Sequence, residues 1–155
     1  MPKAISSKTV RNLKNRLPAL IWAGLIFMFS TNVFSAGNTG GILADLLRYF
    51  FSALSDDNIQ LIHTLIRKLG HFSEYFILAV LILRALRQET GEKLQTPRLA
   101  LGLGLTALYA VSDEFHQAFV PSRTASIADV LLDIFGGICG TLWFQRRNCC
   151  KNTIQ

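Results

Sequence analysis

Apolar residues in this chain come in long blocks rather than in the short alternations of a strand-rich domain. The first block, LPALIWAGLIFMFSTNVF from Leu17 to Phe34, is about long enough to cross a bilayer. The second, from about Leu69 to Leu86, opens with two polar turns and is purely apolar from Ile77 to Leu83. The third runs from about Leu99 to Val120; its first half is apolar and rich in small residues, and its second half carries SDEFHQ. The fourth starts near Ala125 or Ser126 and reaches Phe144. The pattern predicts an all-α, polytopic membrane protein with about four transmembrane helices, near 17–34, 69–86, 99–120 and 126–144.

The connections add detail. Residues 35–57 read as an irregular outer segment with an amphipathic piece. Ile42, Leu43, Leu46, Leu47, Phe50 and Leu54 recur at helical spacing there, which suits a helix lying on the membrane. Asp56-Asp57-Asn58 supplies N-cap chemistry for a helix that can run on through Ile59, Ile62, Leu65 and Ile66 into the second span. Pro97 marks a helix start, because its missing N–H would have no partner in the first turn anyway. A basic stretch ahead of an apolar one also fits a signal peptide cleaved after Ser35. A retained span is the better reading, since further spans follow it.

Half of the 155 residues are hydrophobic and only 17% are charged, which is unusual for a small soluble domain and excludes a disordered chain. The net charge of +6 resides mainly in the tails and one loop, so no basic face for nucleic acid is built. Cys139, Cys149 and Cys150 give neither a disulfide framework nor the paired spacing of structural zinc. Twelve of the sixteen Lys and Arg residues lie in 1–16, 84–98 and the C-terminal tail. By the positive-inside rule those segments face the cytoplasm, leaving residues 35–67 and the Pro121 turn outside. The chain divides into a basic tail (1–16), a membrane domain (17–145) and a second basic tail (146–155).

This topology brings three polar stretches to one level, the outer leaflet. Ionisable groups cost roughly 2.5–3.5 kcal/mol each at the centre of a membrane helix, so such a concentration points to a site. Lys68, His71 and Tyr75 share one helix face, and His71 neighbours Glu74. Asp113, His116 and Gln117 share another, as do Asp129 and Asp133. Ser126 precedes Asp129 by one turn and is placed to cap that helix.

These residues resemble the VanZ-like family of bacterial membrane proteins, and the resemblance implies a place in the bacterial cytoplasmic (inner) membrane. One family-like segment reads Lys68-Leu69-Gly70-His71-Phe72-Ser73-Glu74-Tyr75. The other runs from Ser112-Asp113-Glu114-Phe115-His116-Gln117 through Pro121 and Arg123 to Asp129, Asp133 and Gly136-Gly137. Together they cover roughly residues 60–141. Ser122 stands where Gly is usual, which stiffens the turn, and Asp133 where Asn is common, which adds a negative charge. The family's namesake is linked to low-level resistance to the glycopeptide teicoplanin.

His71, Glu74, Asp113, Glu114 and His116 are the candidate catalytic groups, with either histidine as a base oriented by Asp113 or Glu114. Lys68, Tyr75, Gln117, Arg123, Asp129 and Asp133 are the candidate ligand contacts, and Lys68 and Arg123 suit a phosphate or carboxylate. The set fits binding, with or without modification, of an amphiphilic or lipid-linked envelope molecule. Two histidines among carboxylates are compatible with a divalent metal, although no close ligand motif is present. A different reading has the same groups neutralise one another and lock three helices together, in a structural or regulatory partner of a membrane complex. Gly136 with Gly140, and Ala100 with Gly104, have the small-xxx-small spacing of close helix approach.

Overall fold

The computed structural model describes residues 7–31, 36–51, 54–90, 95–121, 123 and 125–150. They form five helices: α1 (Ser7–Phe29), α2 (Ala36–Phe50), α3 (Asp56–Thr90), α4 (Thr96–Gln117) and α5 (Ile127–Cys150), and the described residues contain no strand. The all-α expectation holds. Phe34, Ser35 and Ser122, which entered the readings above, lie outside the described residues.

Several boundaries move. Helix α1 begins at Ser7, within the stretch read as a basic tail. Residues Ala36–Phe50 form the amphipathic helix expected on the outside. Helix α3 runs unbroken for 35 residues through the second apolar block. Ser55, rather than the Asp56-Asp57-Asn58 run, caps it: the Ser55 hydroxyl accepts from the Asn58 N–H at 3.4 Å and its carbonyl from the Ile59 N–H. Asp56 and Asp57 sit in the first turn, where the helix dipole favours negative charge. Pro97 lies in the first turn of α4 as expected.

Helix α3 is the hub, packed against α1, α4 and α5. Contacts along the helices give their directions. Lys68, His71 and Phe72 of α3 meet Asp129, Asp133 and Gly136 of α5 in that order, so α3 and α5 run parallel. Leu83 of α3 meets Gly102 of α4, whereas Tyr75 meets Tyr109, so α4 runs against them. Helix α1 runs with α4: Ala23 reaches Tyr109 and Ser30 reaches Asp113. One core cluster contains Ile26, Tyr75, Leu78 and Ala110, and a second contains Leu83, Leu99 and Phe144.

The α3–α5 contact depends on glycine. A Cβ on Gly136 would lie 2.5 Å from the Phe72 carbonyl oxygen, and one on Gly140 would lie 2.5 Å from that of Phe76. The two backbones therefore touch, as small-xxx-small spacing permits.

The molecule is inverted relative to a soluble bundle. Asp133 is fully buried and Asp113, Glu114 and Gln117 nearly so, while Leu108, Phe115, Leu131 and many other large apolar side chains face outward. Buried polar groups with an apolar exterior are what a lipid surround demands. Helices α3, over Asp56–Gln88, and α5, over Ile127–Asn148, are long and apolar enough to cross a membrane. Helix α1 carries Lys14 and Arg16 ahead of its apolar run, and α4 ends in polar residues, so neither reaches that standard on composition.

Candidate functional site

The polar stretch within α3, the C-terminal ends of α1 and α4 and the N-terminal end of α5 meet at one level of the bundle. Their side chains fall into three connected groups.

The innermost group joins α1 to α4. The Ser30 hydroxyl donates to Asp113 Oδ2 at 2.7 Å, and the Gln117 amide donates to the same oxygen at 3.0 Å. Asp113 and Gln117 are four residues apart, so one helix face presents both. The Tyr75 hydroxyl and Asp113 Oδ1 are buried and have no hydrogen-bond partner among the described residues.

The second group joins α3, α4 and α5. His71 Nδ1 lies 3.2 Å from Asp133 Oδ1, and which of them carries the proton depends on the imidazole tautomer. Glu114 Oε2 accepts the backbone N–H of Ser126 at 3.0 Å, tying the end of α4 to the start of α5. Ser126 therefore meets the site through its main chain rather than as the side-chain cap that its spacing suggested. Its carbonyl accepts from the N–H groups of Asp129 and Val130.

The third group lies further out. Lys68 Nζ pairs with Asp129 Oδ1 at 2.9 Å, and Arg67 reaches the other Asp129 oxygen at 4.0 Å. Asp129 stands in the first turn of α5, where the dipole favours it. Arg123 donates to the Phe29 carbonyl, which is one of the orphan acceptors at the C-terminal end of α1. Burial pulls the Arg123 guanidinium below its ordinary proton affinity and the nearby Arg67 adds to this, while Asp113, Glu74 and Glu114 act the other way.

These groups border a cavity of about 290 Å³, lined by Phe29, Ser30, Arg67, Gly70, His71, Glu74, Gln117 and Arg123. Two guanidinium groups thus share one space with an imidazole and a carboxylate.

Ten of the eleven candidate residues gather here. The exception is His116, whose ring stacks on Phe27 with centroids 4.7 Å apart, away from His71. The nearest carboxylate to His71 is Asp133, not Asp113 or Glu114. Ser30, Arg67 and the Phe29 carbonyl belong to the site and were not foreseen. Ser30 left a faint signal as a polar residue closing the first apolar block. Arg67 adjoins Lys68, but nothing in the sequence says it faces inward, and a main-chain carbonyl carries no signal.

Among known proteins, the family model described as VanZ/LLP1 matches residues 17–148. No curated protein and no solved structure matches the chain.

Proposed function

The chain belongs to the VanZ/LLP1 family, and from that premise we propose that it is an envelope membrane protein whose outer cavity binds the anionic head of an amphiphilic, lipid-linked molecule. The cavity carries this reading. Arg67 and Arg123 line it together, and a planar guanidinium grips phosphate or carboxylate oxygens through paired donors. Apolar helix surfaces flank it, which suits a ligand whose tail stays in lipid. His71, held by Asp133, is the group placed to exchange a proton with a bound head.

In this reading α1, α3, α4 and α5 cross the cytoplasmic membrane in alternating directions as one membrane domain over 17–145. Both termini are cytoplasmic and α2 lies on the outer face. The antiparallel packing of neighbouring helices and the positions of the basic residues support that arrangement. A reporter fused after Gln155 is expected to stay cytoplasmic. Extracytoplasmic reporter activity would turn the cavity inward and remove an outer-leaflet ligand.

The binding test uses the full chain in nanodiscs containing either a long-chain polyprenyl phosphate or the corresponding alcohol. Saturable binding of the phosphate alone is expected, weakened at least tenfold in Arg67→Ala and Arg123→Ala. Equal retention of both lipids, or of neither, would leave the cluster as interhelical glue in a structural partner. A teicoplanin susceptibility assay on cells with and without the chain tests whether the namesake's phenotype extends to it.

A further inference from the structure

We propose that His71, Glu114 and Asp133 hold one divalent first-row transition-metal ion, of the Zn²⁺ or Mn²⁺ kind, whose remaining positions open to the cavity. This deepens the binding reading because His71 borders both the cavity and this trio, but its readout is metal and needs no lipid.

The trio draws one donor from each of α3, α4 and α5, and the three donor atoms lie within 4.8 Å of one another. Tetrahedral zinc bonds of about 2.0–2.2 Å place neighbouring ligands about 3.3–3.6 Å apart. His71 Nδ1 and Asp133 Oδ1, 3.2 Å apart, come close to that spacing, and the proton they share would leave when the imidazole turns to the ion, with either Asp133 oxygen able to follow. The widest separation must close by about 1.3 Å, which the several torsions of the Glu114 side chain can supply.

An independent observation points to a cation. Each carboxylate uses one oxygen within the protein: Glu114 Oε2 takes the Ser126 N–H and Asp133 Oδ1 faces His71. The other oxygens, Glu114 Oε1 and Asp133 Oδ2, are buried and have no hydrogen-bond partner among the described residues. The residues are 4% and 0% exposed, so water does not readily serve them. A buried carboxylate oxygen without a partner is costly, and two beside one imidazole are more so. The nearby fixed cations make their direct contacts with other groups, although the Arg123 charge also acts on Glu114. Lys68 and Arg67 reach Asp129, and Arg123 donates to the Phe29 carbonyl.

The donor set selects the class of metal. One imidazole and two carboxylates suit Zn²⁺ or Mn²⁺. Calcium takes about 6–8 oxygen ligands and magnesium sheds its waters reluctantly, so both fit a three-donor buried trio less well. Three protein ligands leave a coordination position for an outside oxygen, and His71 places that position on the cavity side.

The test takes the full chain in detergent, stripped with chelator, loaded separately with Zn²⁺ and Mn²⁺ and desalted. Elemental analysis is expected to give about one equivalent of at least one metal in the parent protein. Glu114→Gln and Asp133→Asn should hold less than a tenth of that. Asp56→Asn, an exposed carboxylate at the far tip of α3 that pairs with Arg48 instead, should keep it. Should the two variants fail to fold, pulsed electron paramagnetic resonance of the Mn²⁺-loaded parent decides. Nitrogen coupling from a coordinated imidazole is expected. Substoichiometric metal in the parent, full retention in the variants, or no nitrogen coupling would each overturn the site. Polyprenyl phosphate binding by a protein that takes no metal would sink the metal and spare the lipid reading; metal without lipid binding would do the reverse.

Discussion

Replacing Gly136 by alanine tests the assembly of the site from a residue that touches none of its polar groups. The added Cβ would stand 2.5 Å from the Phe72 carbonyl oxygen, 3.2 Å from its carbon and 3.3 Å from its Cα, where ordinary contact begins at 3.4 Å. All three atoms are helix backbone and cannot rotate aside, so α3 and α5 must part by about 0.9 Å locally. The His71–Asp133 contact lies beside this crossing and is already 3.2 Å long. A comparable opening would stretch it past hydrogen-bond distance. Overpacking of this kind costs about 1–3 kcal/mol, and loss of a bond to a charged group about 1.5–3 kcal/mol. These overlap because one displacement causes both, so a net loss of about 2–4 kcal/mol is expected. Equilibrium unfolding in mixed micelles reads it as a lower denaturant midpoint with unchanged slope. Gly104 is the control: a Cβ there meets nothing within 4 Å, and alanine should be neutral or stabilising by up to about 1 kcal/mol. Matching midpoints for Gly136→Ala and the parent would refute the close-approach argument.

Three further outcomes are expected. Arg123→Lys keeps the charge but loses the planar fork, so polyprenyl phosphate binding should fall nearly as far as in Arg123→Ala; near-parental binding by the lysine variant would show that charge alone suffices. Ser30→Ala removes the 2.7 Å donor to buried Asp113 and should cost about 1.5–3 kcal/mol in the same unfolding assay, whereas no change would mean that another donor takes its place. Lys68→Ala should cost no more than about 1 kcal/mol, because the Lys68 side chain is 48% exposed and its pairing with Asp129 is screened; a larger loss would mark that pair as a structural lock.

The sequence exposed the helices well because lipid imposes long apolar blocks, and it exposed the cluster because ionisable groups stand out within them. Its errors concern direction and distance. Spacing linked His116 to Asp113, three residues away, but the buried face of α4 runs through Thr106, Ala110, Asp113 and Gln117, and His116 lies to one side against Phe27. The partner of His71 is 62 residues away and that of Ser30 is 83 away, separations at which local periodicity is silent. The spacing of Gly136 and Gly140 announced a close approach without saying that Phe72 and Phe76 would receive it.

Helix α3 has a mechanical consequence. At about 1.5 Å per residue its 35 residues make a rod of about 52 Å, whereas the hydrocarbon layer is about 30 Å thick. A helix of this length standing upright in such a layer would extend over 20 Å beyond it. Asp56 stands about 22 Å along the rod from His71, and Arg48 of α2 is clasped to its tip at 2.8 Å. A tilt of about 5° with His71 as the fulcrum would sweep Asp56 through about 2 Å. Such a rod would carry a displacement of α2 to His71 only as far as the exposed Arg48–Asp56 pair holds it.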